Sequence, residues 1–105
     1  MATFSELMAE NGYECRTTFW MDFSIADKFG VNAIRDTYNR AFEEWQNNVE
    51  YMAEFVLVLN HKIWQWYEKD EKIAAVYNEL WEQADSFCLD HFTDDDAAYY
   101  FDVTD

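Results

Sequence analysis

Few side chains in this 105-residue chain belong to the types that bind metal ions or perform acid, base or nucleophilic chemistry. They are His61, His91, Cys15, Cys88 and the carboxylates of Asp94, Asp95 and Asp96. None of them has the spacing of a recognised zinc motif. The aspartate run lacks the alternating oxygen ligands, the glycine and the terminal glutamate of an EF-hand loop, and it is typical of a solvated helix start. We therefore expect no metal site and no cofactor.

Catalytic motifs are also missing from the sequence. The only glycines are Gly12 and Gly30, so phosphate-binding loops, nucleophile elbows and dinucleotide fingerprints cannot be built from this chain. His61 falls on the polar strip of a predicted helix, where a surface or hydrogen-bonded histidine is expected rather than a catalytic one. The sequence predicts a protein that is not an enzyme.

The cysteines and the amino terminus indicate the cellular compartment. Cys15 and Cys88 form no CxxC pair, so we expect free thiols in a reducing cytosol rather than a disulfide scaffold. The opening MATFSELMAENG has acids where a signal peptide needs positive charge. The longest fully apolar run, 55–59, is far shorter than the roughly 20 residues of a membrane span. We expect a cytoplasmic protein.

Charge is the most unusual property of the sequence. The chain has 22 acidic and 7 basic residues and a net charge of −15. Such a charge disfavours direct binding to nucleic acid or to an anionic membrane, and it favours a basic protein as the partner. Because duplex DNA carries one charge per about 1.7 Å of axis, this net charge corresponds to about 25 Å of duplex. An alternative that stays open is that the acidity serves only solubility.

Acidic residues are concentrated in the last third of the chain. The last basic residue is Lys72, and every charged residue in 73–105 is acidic. An isolated carboxylate is costly to bury, so we expect six of these side chains to stay exposed and to form a negative surface. The predicted partner-binding residues are Glu79, Glu82, Asp90, Asp94, Asp95 and Asp96.

Helices are expected to position these residues. The absence of proline and the scarcity of glycine disfavour an all-β architecture. The segment of about 49–69 is apolar around most of a helical wheel, with Leu57 and Trp64 opposite its main apolar face. Its polar strip consists of Glu50, Glu54, His61 and Gln65. We predict an all-α fold in a single domain, 1–105, which is a small helical bundle packed around this central helix.

Capping residues predict where the helices before the central one begin and end. Ser24 as N-cap and Gly30 as a stop predict a short helix of about 24–29. Asn32 is the predicted cap of a second helix of about 33–47, and the pair Asn47-Asn48 is expected to separate it from the central helix. The first twenty residues are predicted to hold a short helix through Ala9, followed by an irregular segment or short strand at 13–20.

Two further helices are predicted after the central one. Asp70 is expected to cap a helix that runs to about residue 91. Thr93 and the three aspartates after it are expected to start a short terminal helix of about 97–101, because the helix dipole favours negative charge there.

Aromatic residues make up 20% of the chain, and most recur at helical spacing, which is typical of a core. Trp64 and Trp66 lie on different flanks of the central helix, and Tyr99-Tyr100-Phe101 cannot all be hidden by one short helix. Some aromatic surface rimmed by acids is therefore expected. The alternative function is accordingly a structural or assembly protein that forms a homodimer through exposed aromatics.

Four segments carry a resemblance to known proteins. They are TTFWMDFSIADKFG (17–30), AIRDTYNRAFEEW (33–45), VLNHKIWQWYE (58–68) and YYFDVTD (99–105). Across most of its length the chain resembles a family of small acidic proteins carried on integrative conjugative elements of gut Firmicutes. The resemblance contains no catalytic motif and implies a cytoplasmic protein of a mobile genetic element.

The class of such proteins suggests a function by analogy. Small, acidic, non-enzymatic proteins of mobile elements are similar to anti-CRISPR and anti-restriction inhibitors, several of which act as DNA mimics. By this analogy of class we expect an inhibitor that engages the basic, nucleic-acid-binding surface of a host defence or element-maintenance protein.

Overall fold

Five long or medium helices account for most of residues 17–104, which together with residues 6, 9 and 10 are the part of the chain that this computed structural model describes. The helices are α1 (Phe19–Asp27), α2 (Val31–Trp45), α3 (Val49–Trp66), α4 (Glu71–His91) and α5 (Asp94–Thr104). The described residues contain no strand. The predicted all-α class is confirmed.

Helix α3 is the centre of the bundle, as its apolar circumference predicts. It contacts each of the other four helices and packs most extensively against α4. Phe55 of α3 is fully buried, and its ring centroid lies 5.2 Å from those of both Phe19 and Tyr38. The core is therefore continuous from α1 and α2 to α3. The helix ends at Trp66, slightly before the predicted end at about residue 69.

Side-chain caps set the starts of α3 and α4 as predicted. Asn48 has extended backbone, and its Oδ1 accepts a hydrogen bond of 3.1 Å from the backbone N–H of Tyr51. Asp70 accepts from the backbone N–H groups of Lys72 and Ile73, at 3.0 and 3.3 Å. Each cap satisfies N–H groups that have no partner within the helix.

The start predicted for the short helix of about 24–29 is wrong, because Ser24 lies inside α1 and is not its cap. Helix α1 begins at Phe19, and the predicted irregular segment persists only at Thr17 and Thr18 among its described residues. Residues 13–16 lie outside the described part. Phe19 and Phe23 are one turn apart and both pack on Phe55. This burial extends the helix towards the amino terminus beyond what the local cap pattern indicated.

Gly30 separates α1 from α2, although not in the way predicted. Helix α1 ends at Asp27, and Gly30 occupies the N-cap position of α2 with φ 106° and ψ −172°. Asn32 is therefore inside α2 and is not its cap. The backbone conformation of Gly30 is one that L residues rarely adopt.

The ends of the chain differ from the predicted ones in extent. Helix α5 spans Asp94–Thr104 instead of 97–101. At the amino terminus, residues 6, 9 and 10 are helical, while the rest of the predicted short helix through Ala9 lies outside the described residues. None of the helices in the described part is long and apolar enough to cross a membrane.

The polar strip and the apolar flank predicted for the central helix both need correction. Glu54 is only 1% exposed, and its Oε2 accepts a 3.1 Å hydrogen bond from the backbone N–H of Thr17. A carboxylate is favourable there, because α1 begins two residues later and presents the positive end of its dipole. Trp64, on the flank opposite the main apolar face, is 66% exposed.

Candidate protein-interaction surface

All six predicted partner-binding residues are exposed. Glu79, Glu82 and Asp90 lie on α4, and at 100° per residue they fall within about 80° of one another on one face of the helix. Asp94, Asp95 and Asp96 form the first turn of α5, which begins directly after the short connection from α4. The exposed face of α4 and the start of α5 thus present these carboxylates to solvent.

Glu79 differs from the other five because it has a cationic partner. Its Oε2 accepts a hydrogen bond of 2.7 Å from the guanidinium Nη2 of Arg35 on α2. The sequence expectation considered only residues near Glu79 in the chain, where no arginine occurs, and so it missed a pair formed between helices. An exposed pair of this kind contributes at most about 1 kcal/mol to stability. It nevertheless offsets the charge that Glu79 offers to a partner.

Asp102 belongs with the exposed acids, although it was not among the predicted site residues. It lies seven residues after Asp95 and therefore on the same face of α5, with Ala98 between them, and all three are exposed. The longer α5 brings about this arrangement, since a helix that ended at residue 101 would leave Asp102 outside it. Phe101, also exposed, is the neighbouring apolar side chain.

Asp85 is the acid in this region that is used inside the fold. Its Oδ1 accepts a hydrogen bond of 2.5 Å from the hydroxyl of Tyr100, which joins α4 to α5. Burial, reinforced by this bond to a carboxylate, raises the pKa of Tyr100 well above its ordinary value. Asp85 therefore contributes a hydrogen bond to the packing of α5 against α4.

One basic side chain lies in the core instead of at the surface. Lys62 of α3 is 0% exposed, and its Nζ lies 2.8 Å from Oδ2 of Asp27 and 2.8 Å from the hydroxyl of Ser24 on α1. Asp27 also accepts hydrogen bonds from the indole of Trp66 and the phenol of Tyr77. This buried network connects α1, α3 and α4.

The buried network shifts the pKa values of two of its titratable groups, Lys62 and Tyr77. Burial lowers the pKa of the Lys62 ammonium, while the bond to Asp27 opposes that change. The Nζ of Lys62 also lies 4.2 Å from the centroid of the Trp20 ring, which is a cation–π contact. Burial and the bond to Asp27 raise the pKa of Tyr77. Because Lys62 is paired inside the protein and makes several contacts there, we assign it a role in stabilising the fold and not in binding a partner.

The remaining surface charge is strongly unbalanced. Among the described residues, sixteen acidic side chains are exposed but only four basic ones, namely Lys28, Arg40, Lys69 and Lys72. Of the other described basic residues, Lys62 is buried and Arg35 is partly buried. The exposed side chains of the described residues are therefore strongly acidic on balance.

The residues that could perform chemistry are dispersed in the structure. His91 is exposed, with its Nε2 3.0 Å from Oδ1 of Asn47, and burial lowers the pKa of His61. Cys88 is buried, and this burial raises the pKa of its thiol to about 12, so it carries little thiolate at neutral pH. Cys15 lies outside the described residues. Within the described part, no three His, Cys, Asp or Glu side chains are grouped so that they could hold a metal ion.

An exposed aromatic pair lies at the carboxyl end of α3. Trp64 and Tyr67 are both mostly exposed, and their ring centroids are 5.7 Å apart. Tyr100, by contrast, is buried, so only part of the predicted Tyr99-Tyr100-Phe101 cluster reaches the surface.

No protein-family profile, curated protein or solved structure matches this chain. Its function is therefore inferred from its own residues.

Proposed function

We propose that this protein is a non-enzymatic acidic binding protein that engages the basic, nucleic-acid-binding surface of another protein. The binding residues are Glu82, Asp90, the Asp94–Asp96 run and Asp102, with Glu79 taking part only where its pairing with Arg35 allows. The observation that carries the proposal is that all these carboxylates are exposed along α4 and α5, and no lysine or arginine follows Lys72.

This arrangement favours recognition of a surface that ordinarily binds phosphates. Lysines and arginines placed to neutralise a nucleic-acid backbone are attracted by a row of carboxylates for the same electrostatic reason. An inhibitor of a host defence protein, of the anti-CRISPR or anti-restriction kind, would work in this way by occupying the nucleic-acid site.

The test uses two variants with equal loss of charge. The triple-asparagine variant carries Asp94→Asn, Asp95→Asn and Asp96→Asn. The glutamine control variant carries Glu43→Gln, Glu50→Gln and Glu68→Gln, which are also exposed acids but lie outside the proposed surface, and Glu50 likewise occupies the first turn of a helix. Circular dichroism should show that both retain their helices.

The immobilised proteins are used to capture partners from a cytosolic lysate between about 50 and about 200 mM salt, with and without duplex DNA. We expect wild type and the glutamine control variant to retain the same basic protein, and duplex DNA or higher salt to release it. The triple-asparagine variant should retain much less. Capture that duplex DNA does not reduce, or that is equal for both variants, would contradict the proposal.

A homodimer is the second candidate, favoured by the exposed Trp64–Tyr67 pair. Repulsion between two molecules that each carry a net charge of −15 opposes it, and that repulsion weakens as salt screens the charges. This reading predicts a dimer mass by light scattering at moderate salt, which Trp64→Ala abolishes. A monomer mass at all salt concentrations would exclude it.

A further inference from the structure

Helix α1 leaves an apolar strip uncovered. Met21, Ile25 and Phe29 are spaced by four residues along α1 and the turn that follows it, and each is more than half exposed. Phe29 is 77% exposed, which is the largest value among the exposed large apolar side chains of the described residues. Contiguous apolar surface of this kind marks interaction sites more often than isolated exposed residues do.

The strip borders a groove of about 840 Å³ between α1 and α2. Ile25 on α1 and Phe29 in the turn after it line one side of the groove. The small side chains of Ala33 and Ala41 line it from α2, where they leave space between the helices. Trp45 and Tyr51, whose ring centroids are 4.3 Å apart, also line the groove. The groove therefore combines apolar and aromatic side chains with polar ones such as Thr18 and Thr37.

The rim of the groove is acidic. Asp22 on α1 and Asp36 and Glu44 on α2 are exposed and line it, and Arg40 is the one basic residue among the lining residues of the described part. Three carboxylates against one guanidinium leave the rim net negative. A ligand that fills the groove therefore needs apolar side chains on one stripe and lysines or arginines beside it.

We propose that the groove between α1 and α2 binds a basic amphipathic helix of a partner protein. The lining of α2 runs from Ala33 to Trp45, which is about 18 Å at 1.5 Å per residue and matches a helix of about three turns. Such helices bind grooves through apolar residues at i, i+3 or i+4 and i+7. A second copy of this chain does not suit the rim, because each copy has a net charge of −15.

This inference goes beyond the proposed acidic surface. It involves α1 and α2 rather than α4 and α5, and it depends on apolar contact as well as charge. Either site can therefore fail its test while the other passes.

The probe is a fluorescently labelled helical peptide of leucine and lysine with the leucines on one face, compared with a scrambled peptide of identical composition. Anisotropy titrations should show that wild type binds the amphipathic peptide at least about ten-fold more tightly than the scrambled one, because only the first can bury an apolar stripe. Ile25→Ala combined with Phe29→Ala should weaken binding by about ten-fold or more.

Two matched variants separate the groove from other exposed features. Trp64→Ala removes an aromatic side chain that is also largely exposed but lies outside the groove, and it should leave affinity unchanged. The triple-asparagine variant should likewise bind the peptide as wild type does. Asp36→Asn with Glu44→Gln should weaken binding and reduce its dependence on salt, without removing any apolar contact.

Several results would overturn the inference. They are equal binding of the two peptides, absence of binding to wild type, and no effect of the Ile25 and Phe29 substitutions in a variant that retains its helicity. A wild-type dimer that the same substitutions dissociate would show that a second copy occupies the groove, which also overturns it.

Discussion

Lys62 is a single basic residue that lies fully buried in a strongly acidic protein. Its ammonium is held by Asp27 and Ser24. Lys62→Met should destabilise the protein by about 3–5 kcal/mol, since the substitution removes one partner of a buried ion pair. Chemical denaturation measures this change in the free energy of unfolding. Lys69→Met, at an exposed position, is the control and should stay within about 0.5 kcal/mol of wild type. Equal effects of the two substitutions would contradict the buried pair.

Buried phenols and a buried thiol predict loss of stability in alkali. Burial raises the pKa of Tyr38 to about 12 and that of Cys88 to about 12, and it also raises the pKa values of Tyr77 and Tyr100. In the unfolded chain these groups ionise near pH 9 to 10, so above that pH the folded state binds more protons and stability falls as pH rises. Lys62, with its lowered pKa, contributes in the opposite direction, but it is one group against four.

We therefore expect a lower free energy of unfolding at about pH 11 than at about pH 8, measured by urea denaturation. Tyr77→Phe removes one of the four ionisable groups and should reduce the size of that loss. A free energy of unfolding that is constant or that rises over this interval would show that the buried phenols are not protonated as described.

At the scale of the helices, Gly30 allows α1 and α2 to follow each other closely. A Cβ at this position would meet no atom within 4 Å, so the backbone conformation alone requires glycine. Gly30→Ala should cost about 1–3 kcal/mol, because L residues are strained at a φ of 106° and a ψ of −172°. Thermal or denaturant unfolding measures the cost. A neutral or stabilising effect would argue against this turn.

The burial of α3 predicts a second effect on stability. Leu59 is fully buried at its centre, so Leu59→Ala should cost about 2–5 kcal/mol through lost burial and the cavity left behind. Leu89→Ala makes the same chemical change on α4 at a half-exposed position and should cost much less. Denaturant melts of the two variants provide the comparison. A cost below about 1 kcal/mol for Leu59→Ala would contradict a central α3.

The sequence predicted those features of the helices that depend on nearby residues. Asn48 and Asp70 cap the helices that follow them because the hydrogen bonds reach only two or three residues along the chain. The start of α1 was missed, because packing of Phe19 and Phe23 on Phe55 is a contact between distant parts of the chain. Lys62 was missed for the same reason, although its spacing from Leu59 and Trp66 on one helical stripe was a usable signal.

For the molecule as a whole, the prediction that Glu79, Glu82, Asp90 and the Asp94–Asp96 run remain exposed is confirmed, because the desolvation cost of a carboxylate is general. The pairing of Glu79 with Arg35 and the groove beside Phe29 depend on how helices are placed against one another, and local patterns do not report that. The exposure of Trp64 is a further case, since spacing on a wheel indicates a face but not which face is covered.

The central claim is that the exposed carboxylates of α4 and α5 attract a basic partner. The most direct test is the association rate constant of the captured partner, measured by surface-based kinetics across a range of salt concentrations for wild type and the two charge variants. The triple-asparagine variant should associate several-fold more slowly and with a weaker salt dependence, while dissociation changes little. The glutamine control variant should stay closer to wild type. An association rate and a salt dependence that are unchanged in the triple-asparagine variant would contradict the claim.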